Sequence, residues 1–499
     1  MTDSVKHSGQ VFTPDYLVKN ILDEAGYFGP VILKKHCIDN SCGDGAFICE
    51  FLRRYIEAYK QSYGTIDDIA GDIKKYIHGI EIDPVAYACC LENVTAVLDE
   101  YGLTDCEPDL LLGDTLNNRD FVNKMDYVIG NPPYVRVHNL EGHFNAVKSY
   151  SFASAGMTDL YLVFFEIGFR MLKNGGKLCY ITPSSWINSV AGAALRFYIM
   201  THRNLLSIID LEHYQAFPAT TYTMISLFEK GRRNDSFAYH IYNAENLQKK
   251  HVCDINFNDV EINGYFYFAD NNTLESLRKI LTTPCKKYTI VKNGFATLAD
   301  KVFISSSFPF TEYTIPTIKA STGKWYKAFF PYDEKGKPLS KEVVFSNHEI
   351  AAYLVSNKDA LLKDSTEEKT PDWYLYGRTQ ALKDVYLPKI SINTTIKDIN
   401  SLKINFVDKG CGLYSGLYIL TDISYEVIKE LLERDDFINY IASLKKYKSG
   451  GYYTFNSKDL ELYLNFNISQ RIKNGSLTVK NNDEHRLFES GLSLFQGIS

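Results

Sequence analysis

The first ~230 residues alternate short apolar runs with stretches of helical spacing, and this alternation limits the chain to a parallel α/β sheet with helices on its faces. His36–Asp39, Tyr76–Ile82, Leu110–Leu112, Tyr127–Ile129, Lys177–Thr182, Leu205–Leu211 and Thr223–Phe228 read as strands, with Leu110–Leu112 and Tyr127–Ile129 buried. Between them, Leu17, Val18, Ile21 and Leu22 recur at helical spacing after Thr13-Pro14. A second helix is expected from Gly45 to Tyr59, and Pro84 opens another at the position where a missing amide costs nothing. The apolar stretch Leu160–Leu172 reads as a helix stopped by Asn174-Gly175-Gly176. The acidic stretch Thr65–Asp72 fits none of these elements. From residue 240 onward the alternation fades, Tyr, Asn, Lys and Ser rise, and turns such as Asn263-Gly264 and Asn293-Gly294 take over. The sequence therefore predicts a doubly wound α/β domain over residues 1–240 and an α+β domain over 241–499, joined near 235–250.

Polar residues and glycines gather where the strands end, which in an open α/β sheet is where ligands bind. The first strand runs into Asp39-Asn40-Ser41-Cys42-Gly43-Asp44-Gly45-Ala46-Phe47, whose glycines permit a tight turn and close approach of a ligand. Position 48 is Ile, so the turn lacks the third glycine of a dinucleotide pyrophosphate site. The second strand ends at Glu81, followed by Ile82-Asp83-Pro84, and a carboxylate there is placed to accept hydrogen bonds from two ribose hydroxyls. The third ends at Gly113-Asp114, an acid within reach of an adenine amino group. Three acids at three successive strand ends suit a ligand bearing a cation, a ribose and an adenine. After the fourth strand comes Asn131-Pro132-Pro133-Tyr134. The prolines remove two backbone donors and keep their carbonyls as acceptors. Asn131 adds a side-chain acceptor and Tyr134 an aromatic face, a combination suited to a planar heterocycle with an exocyclic amine.

In this order the segments resemble the gamma-class, TaqI-type N6-adenine DNA methyltransferases, the S-adenosylmethionine-dependent modification enzymes of restriction-modification systems. The resemblance covers residues 9–230 and extends more loosely to residue 465. It implies a Rossmann-like methyltransferase sheet followed by an α+β target-recognition domain, with S-adenosyl-L-methionine as cofactor and no metal. GQVFTP (Gly9–Pro14) matches the N-terminal motif and puts Thr13 at the methionine end of the cofactor, where Asp39, Ser41 and Gly43 would also lie. Glu81, followed by Ile82, matches the ribose-binding position, and Asp114 the acid that reads the cofactor adenine. Phe164, in DLYLVFFEIGFRML, matches the aromatic residue beside that adenine. Asn131-Pro132-Pro133-Tyr134 matches the family's catalytic motif, and the resemblance also counts Asn131 among the cofactor residues. Phe217, in HYQAFPATTYTMISLFEK, matches the aromatic that stacks on the second face of a flipped base. Asn40 stands where the family often has proline. In the tail, Trp373–Gln380 with Pro388-Lys389-Ile390, and Lys448–Phe455, resemble segments shared by target-recognition domains.

The reaction implied is sequence-specific methylation of adenine N6 in double-stranded DNA, by direct transfer to a flipped-out base. Hydrogen bonds from the amine to the Asn131 side chain and the Pro132 carbonyl would localise its lone pair, and Tyr134 and Phe217 would sandwich the ring. Leu444–Phe455 interleaves Lys445, Lys446 and Lys448 with Tyr447, Tyr452 and Tyr453, as a segment would that meets phosphates and bases. The partners expected are double-stranded DNA, bound by a monomer, and a restriction endonuclease on a separate chain.

The charge balance opposes a polyanion at face value, since 54 basic and 60 acidic residues give −6. Residues 1–150 carry 13 basic and 23 acidic side chains, and residues 151–499 carry 41 and 37. The acidity thus lies in the first 150 residues, which include the three acids assigned to a cationic cofactor, and the remainder is slightly basic. The ten cysteines include no C-x-x-C pair, which argues for reduced structural thiols over zinc. No apolar run is long enough to span a membrane and no signal sequence is present, so a cytoplasmic location is expected.

Rival classes fare less well. A cytosine C5 enzyme needs a Pro-Cys nucleophile followed by Glu-Asn-Val, and here Pro284-Cys285 comes after Glu92-Asn93-Val94. Protein glutamine methyltransferases share Asn-Pro-Pro-Tyr but lack so long a tail, and RNA adenine methylation is a further alternative. A non-catalytic DNA-binding subunit conflicts with the intact set Asp39, Glu81, Asp114 and Asn131. A fused nuclease finds no motif, because Pro371-Asp372 follows Glu367-Glu368-Lys369 instead of preceding it.

Overall fold

The computed structural model of the 499-residue chain describes residues 13–137, 147–154, 158–217, 221–363, 366 and 370–478. The chain forms two units. The first comprises residues 1–282 with Ser443–Gly451, and the second residues 283–442 with 452–499.

The first unit is built on one nine-stranded sheet in the order β3-β2-β1-β4-β5-β7-β6-β8-β9. Its strands are β1 (Cys37–Asp39), β2 (Ile77–Glu81), β3 (Asp109–Leu112), β4 (Met125–Gly130), β5 (Leu172–Pro183), β6 (Leu205–Asp210), β7 (Thr223–Glu229), β8 (Ser236–Asn243) and β9 (Gln248–Asn256). β1 is parallel to both β2 and β4, and β4 to β5, whereas β7 runs antiparallel between β5 and β6. Successive crossovers leave β1 in opposite directions, so the strand order reverses between β1 and β4. That switch point is where a crevice opens beyond the carboxyl ends of the strands.

The helices are α1 (Asp15–Ala25), α2 (Ala46–Tyr63), α3 (Ile69–Tyr76), α4 (Pro84–Glu100), α5 (Leu160–Met171) and α6 (Ala193–His202). Side chains alternate across the sheet with the two-residue period of a strand. Ile38, Val128 and Leu178 pack with the α5 core on one face. Their neighbours Cys37, Ile129 and Cys179 pack with α1 and α2 on the other. Both faces are covered, which is why these strands read as unbroken apolar runs.

The structure differs from the sequence reading in four places. Thr65–Asp72 leads into the extra helix α3, which Asp68 precedes and where Asp72 accepts from the Tyr55 hydroxyl at 3.1 Å. β3 is the edge strand, so Leu112, read as buried, is 52% exposed. Asn174–Gly176 lies in the leading arm of β5, because α5 already ends at Met171 and Leu172 turns to extended backbone. The division falls after Thr282 and not near 240, because β8 pairs in parallel with β6 and β9 pairs with β8, carrying the sheet past residue 250.

The second unit is α+β. Thr289–Asn293, Leu417–Thr421, Lys389–Ile392 and Ile404–Val407 form one antiparallel sheet in that order. The helix Ser457–Lys473 packs on it, and its buried Asn465 accepts from the Tyr288 and Thr289 amides at 2.8 and 2.9 Å. Trp373, Tyr374 and Tyr376 of the tail motif are buried in an aromatic core with Phe295, Phe303 and Phe330, while Arg378 and Thr379 are exposed.

Candidate cofactor and catalytic site

The carboxyl ends of β1 and β4 meet closely. Asp39, the last residue of β1, is buried, and a Cβ on Gly130 would stand 2.5 Å from its Oδ1. Only glycine permits that approach. The Ser41 amide donates to Asp39 Oδ1 at 3.1 Å. Burial pushes the Asp39 carboxyl up to about 8, with the charges of Glu81 and Asp44 adding to it. The turn that follows is left-handed at Gly43 (φ 57°) and Gly45 (φ 89°), and a Cβ on Gly45 would meet Cys90 Sγ at 2.7 Å. Nothing lies within 4 Å of a Cβ on Gly43, so a ligand can approach the backbone there.

Glu81 closes this loop from β2. Its Oε2 accepts from the Gly43 amide at 2.8 Å, and its Oε1 from the Ile82 and Asp83 amides at 2.9 and 2.8 Å. Three amides fix the carboxylate in one orientation. Asp83 in turn caps α4 by accepting from the Val85 and Ala86 amides. Ile82 stands 55% exposed beside it. Asp114, after β3, accepts from the Leu116 amide at 2.9 Å and Asn117 Nδ2 at 2.7 Å. Phe164 is buried on α5 in the cluster that includes Leu116 and Val128.

The motif after β4 is tied to both neighbouring loops. Asn131 Nδ2 donates to Thr13 Oγ1 at 3.0 Å, and the Asn131 carbonyl accepts from Ser41 Oγ at 3.4 Å. Committing Nδ2 as donor orients the amide and makes Oδ1 its acceptor side. Pro132 is buried. The Tyr134 hydroxyl donates to the Ile181 carbonyl of β5 at 3.1 Å, and burial raises the phenol above its usual range. Its ring meets Tyr161 and Phe217 edge-on, with centroids at 6.4 and 6.2 Å. The structure therefore brings Thr13, Ser41, Asn131, Tyr134 and Phe217 together. It does not set Tyr134 and Phe217 parallel: their planes are 79° apart, and rings in edge-to-face contact leave no slot for a base between them.

Two features escaped the sequence reading. Asn40 is buried, with Oδ1 accepting from the Tyr180 hydroxyl at 2.9 Å and its carbonyl from Thr115 Oγ1 at 2.6 Å. The polar partner from β5 explains an asparagine here, and no local signal reveals it, because Tyr180 is 140 residues away. The second is a correction. Lys445 and Tyr447, expected to meet phosphates and bases, are drawn inward against Asp210 at the end of β6, leaving Lys448 and Tyr452 as the exposed members of that segment. A buried carboxylate outcompetes solvent for a neighbouring cation. Among the described residues no group of His, Cys, Asp and Glu could hold a metal ion, and no helix is long and apolar enough to cross a membrane.

Residues 77–217 match the family model of the Eco57I restriction-modification methylase. Over that stretch the chain is similar to restriction-modification methylases. The matched stretch begins at β2 and ends at Phe217, so it holds Glu81, Asp114, the Asn131–Tyr134 motif and Phe164. The Type II restriction enzyme and methyltransferase RM.Eco57I of Escherichia coli is 23% identical over 481 residues, 75% of this chain and 48% of that protein. The Type II methyltransferase M.PaeR7I of Pseudomonas aeruginosa is 28% identical over 218 residues, 42% of this chain and 38% of the relative. The chain thus spans less than half the length of these curated relatives. The solved Type IIL restriction-modification enzyme MmeI, in complex with DNA, shares the fold over 94% of this chain and 68% of its own, with a TM-score of 0.61 at 13% identity.

A methylase domain implies S-adenosylmethionine as methyl donor, and the residues present fit it. Asp39 is a buried carboxyl whose charged neighbours are acids, so a cationic ligand would relieve it. Gly43 leaves the loop backbone open, and the exposed side chains of Ile82 and Leu112 offer apolar surface beside the strand ends to a heterocycle.

Proposed function

We propose that this chain methylates N6 of an adenine flipped out of double-stranded DNA. The observation that carries this reading is the Asn131 amide, oriented by Thr13 beside Pro132 and Tyr134 at the end of β4. S-adenosylmethionine supplies a methyl group already activated on a sulfonium, so no covalent enzyme intermediate is required. Thr13, Asp39, Ser41 and Gly43 would hold its methionine part, Glu81 its ribose, and Asp114, Ile82 and Phe164 its adenine. Asn131 Oδ1 and the Pro132 carbonyl accept hydrogen bonds from the target amine, draw its lone pair out of ring conjugation and aim it. Tyr134 and Phe217 hold the base by its faces, which requires the Phe217 ring to turn from its edge-on packing. Extruding the base costs a few kcal/mol of stacking. The second unit serves as the target-recognition part. The names of the relatives, Type II methyltransferases, and the DNA complex of MmeI support DNA as substrate.

The test is incubation with plasmid DNA and S-adenosylmethionine, followed by sequencing that maps modified bases. Methylated adenines in one sequence context are expected. Unmodified DNA together with a labelled protein acceptor would move the reading to a glutamine methyltransferase.

A further inference from the structure

Ser443–Gly451 belongs to the first unit although both of its ends continue into the second. It carries a left-handed residue, Lys445 at φ 53°, which aims the ammonium inward. Lys445 Nζ donates to Glu212 Oε1 and the Tyr239 hydroxyl, both at 3.0 Å, and stands 3.4 Å from Asp210 Oδ2. The Tyr447 hydroxyl donates to the same Asp210 oxygen at 3.0 Å. Asp210, at the end of β6, is buried, and the Lys445 side chain is only 9% exposed. The Tyr447 ring lies edge-on to His213 at 4.9 Å and tilted against Tyr222 at 5.0 Å.

Three of these partners, Glu212, His213 and Tyr222, lie on one connection. Glu212 and His213 open the connection from β6 to β7, Tyr222 closes it, and Phe217 lies between them. Two side chains of a segment more than two hundred residues away in sequence thus hold both roots of the Phe217 loop. The pairing is too buried and too fully engaged to serve a phosphate.

We infer that Lys445 and Tyr447 are positioning residues that set the Phe217 loop, so that the second aromatic wall of the base pocket is in place only while the Ser443–Gly451 strap is seated. Neither side chain touches the reacting atoms. The inference rests on the base-stacking role proposed above for Phe217.

The test compares the full-length wild type with Lys445→Met, Tyr447→Ala and Tyr447→Phe by three readouts: hydrogen exchange of residues 211–222, calorimetric binding of S-adenosylmethionine, and methyl-transfer kinetics on plasmid DNA. Loss of either partner is expected to speed exchange in the loop by about tenfold or more and to lower kcat by about tenfold or more, with cofactor affinity unchanged. Tyr447→Phe keeps the ring contacts and is expected to recover most of kcat. Unchanged exchange in the loop overturns the inference, as does an equal loss of cofactor binding in both damaging variants, which marks a merely structural role. If Lys445→Met does not fold, the two Tyr447 variants decide. A wild type that leaves DNA unmodified defeats the proposed function, and the exchange data then still report whether the strap holds the loop.

Discussion

At the amino edge of the first unit's sheet, His36 Nδ1 lies 2.9 Å from His78 Nε2, and His78 Nδ1 lies 2.7 Å from Asp109 Oδ2. Asp126 beside them takes Lys173 at 2.5 Å and Lys35 at 3.7 Å. At the carboxyl edge of the same strands, Asp39 and Glu81 are held by backbone amides. At the amino edge the two lysines supply the counter-charge to Asp126 from within the fold. Amides order a carboxyl group without supplying a counter-charge. The amino edge is therefore completed within the fold, and the carboxyl edge is where the proposed cofactor site lies.

The sharpest way to break this contrast is at the carboxyl edge. Asn131→Ala is expected to cut methyl transfer by about 10²–10³, the scale of losing one preorganised polar group at a reacting centre. Calorimetry should show S-adenosylmethionine still bound. Equal activity in the variant would sink the proposed role of the motif.

Asp39→Asn comes next. The Asp39 carboxyl, raised to about 8, is protonated in the free protein at pH 7, so binding a cation there should release a proton. Titrations in buffers of different ionisation enthalpy measure that release, and the variant should lose it along with about tenfold or more of its affinity. A raised carboxyl contributes stability that is present below the unfolded value and lost as pH rises through about 8. Asp39→Asn should therefore melt higher than the wild type at pH 8.5, a gain in stability at the expense of binding.

Ile82→Ala should weaken the cofactor only a few-fold, because its half-exposed side chain contributes area and no polar contact. At the amino edge, His36→Gln should leave cofactor affinity unchanged. Burial lowers the pKa of both His36 and His78. Their contribution to stability is present above pH 6.5 and lost as pH falls through the depressed values. Melting curves from pH 7 to 5 should show that loss in the wild type and a shallower decline in the variant. A change in cofactor affinity there would erase the distinction between the two edges.

Much of the first unit was legible because strands covered on both faces leave unbroken apolar runs, and helix starts leave local marks such as Asp83-Pro84. The site's acids were legible for a related reason, since they sit where each apolar run stops. Three kinds of fact were not. Leu112 reads like its buried neighbours, and only the strand order shows that β3 has no further strand beside it. The extension of the sheet through β8 and β9 depends on pairing with β6, which composition does not encode. Lys445 reads as a surface lysine until Asp210 is found next to it.

The sequence by itself determined the order of elements, the residues at the strand ends and the acceptor-rich turn after β4, because these follow from short-range periodicity and from what prolines, glycines and carboxylates can do alone. Only the tertiary structure decided that Thr13 orients Asn131, that Tyr134 and Phe217 pack edge to face, and that a strap from the far end of the chain holds the Phe217 loop. Those facts join residues separated by tens to hundreds of positions, and a burial that turns a lysine inward depends on partners that no local pattern names.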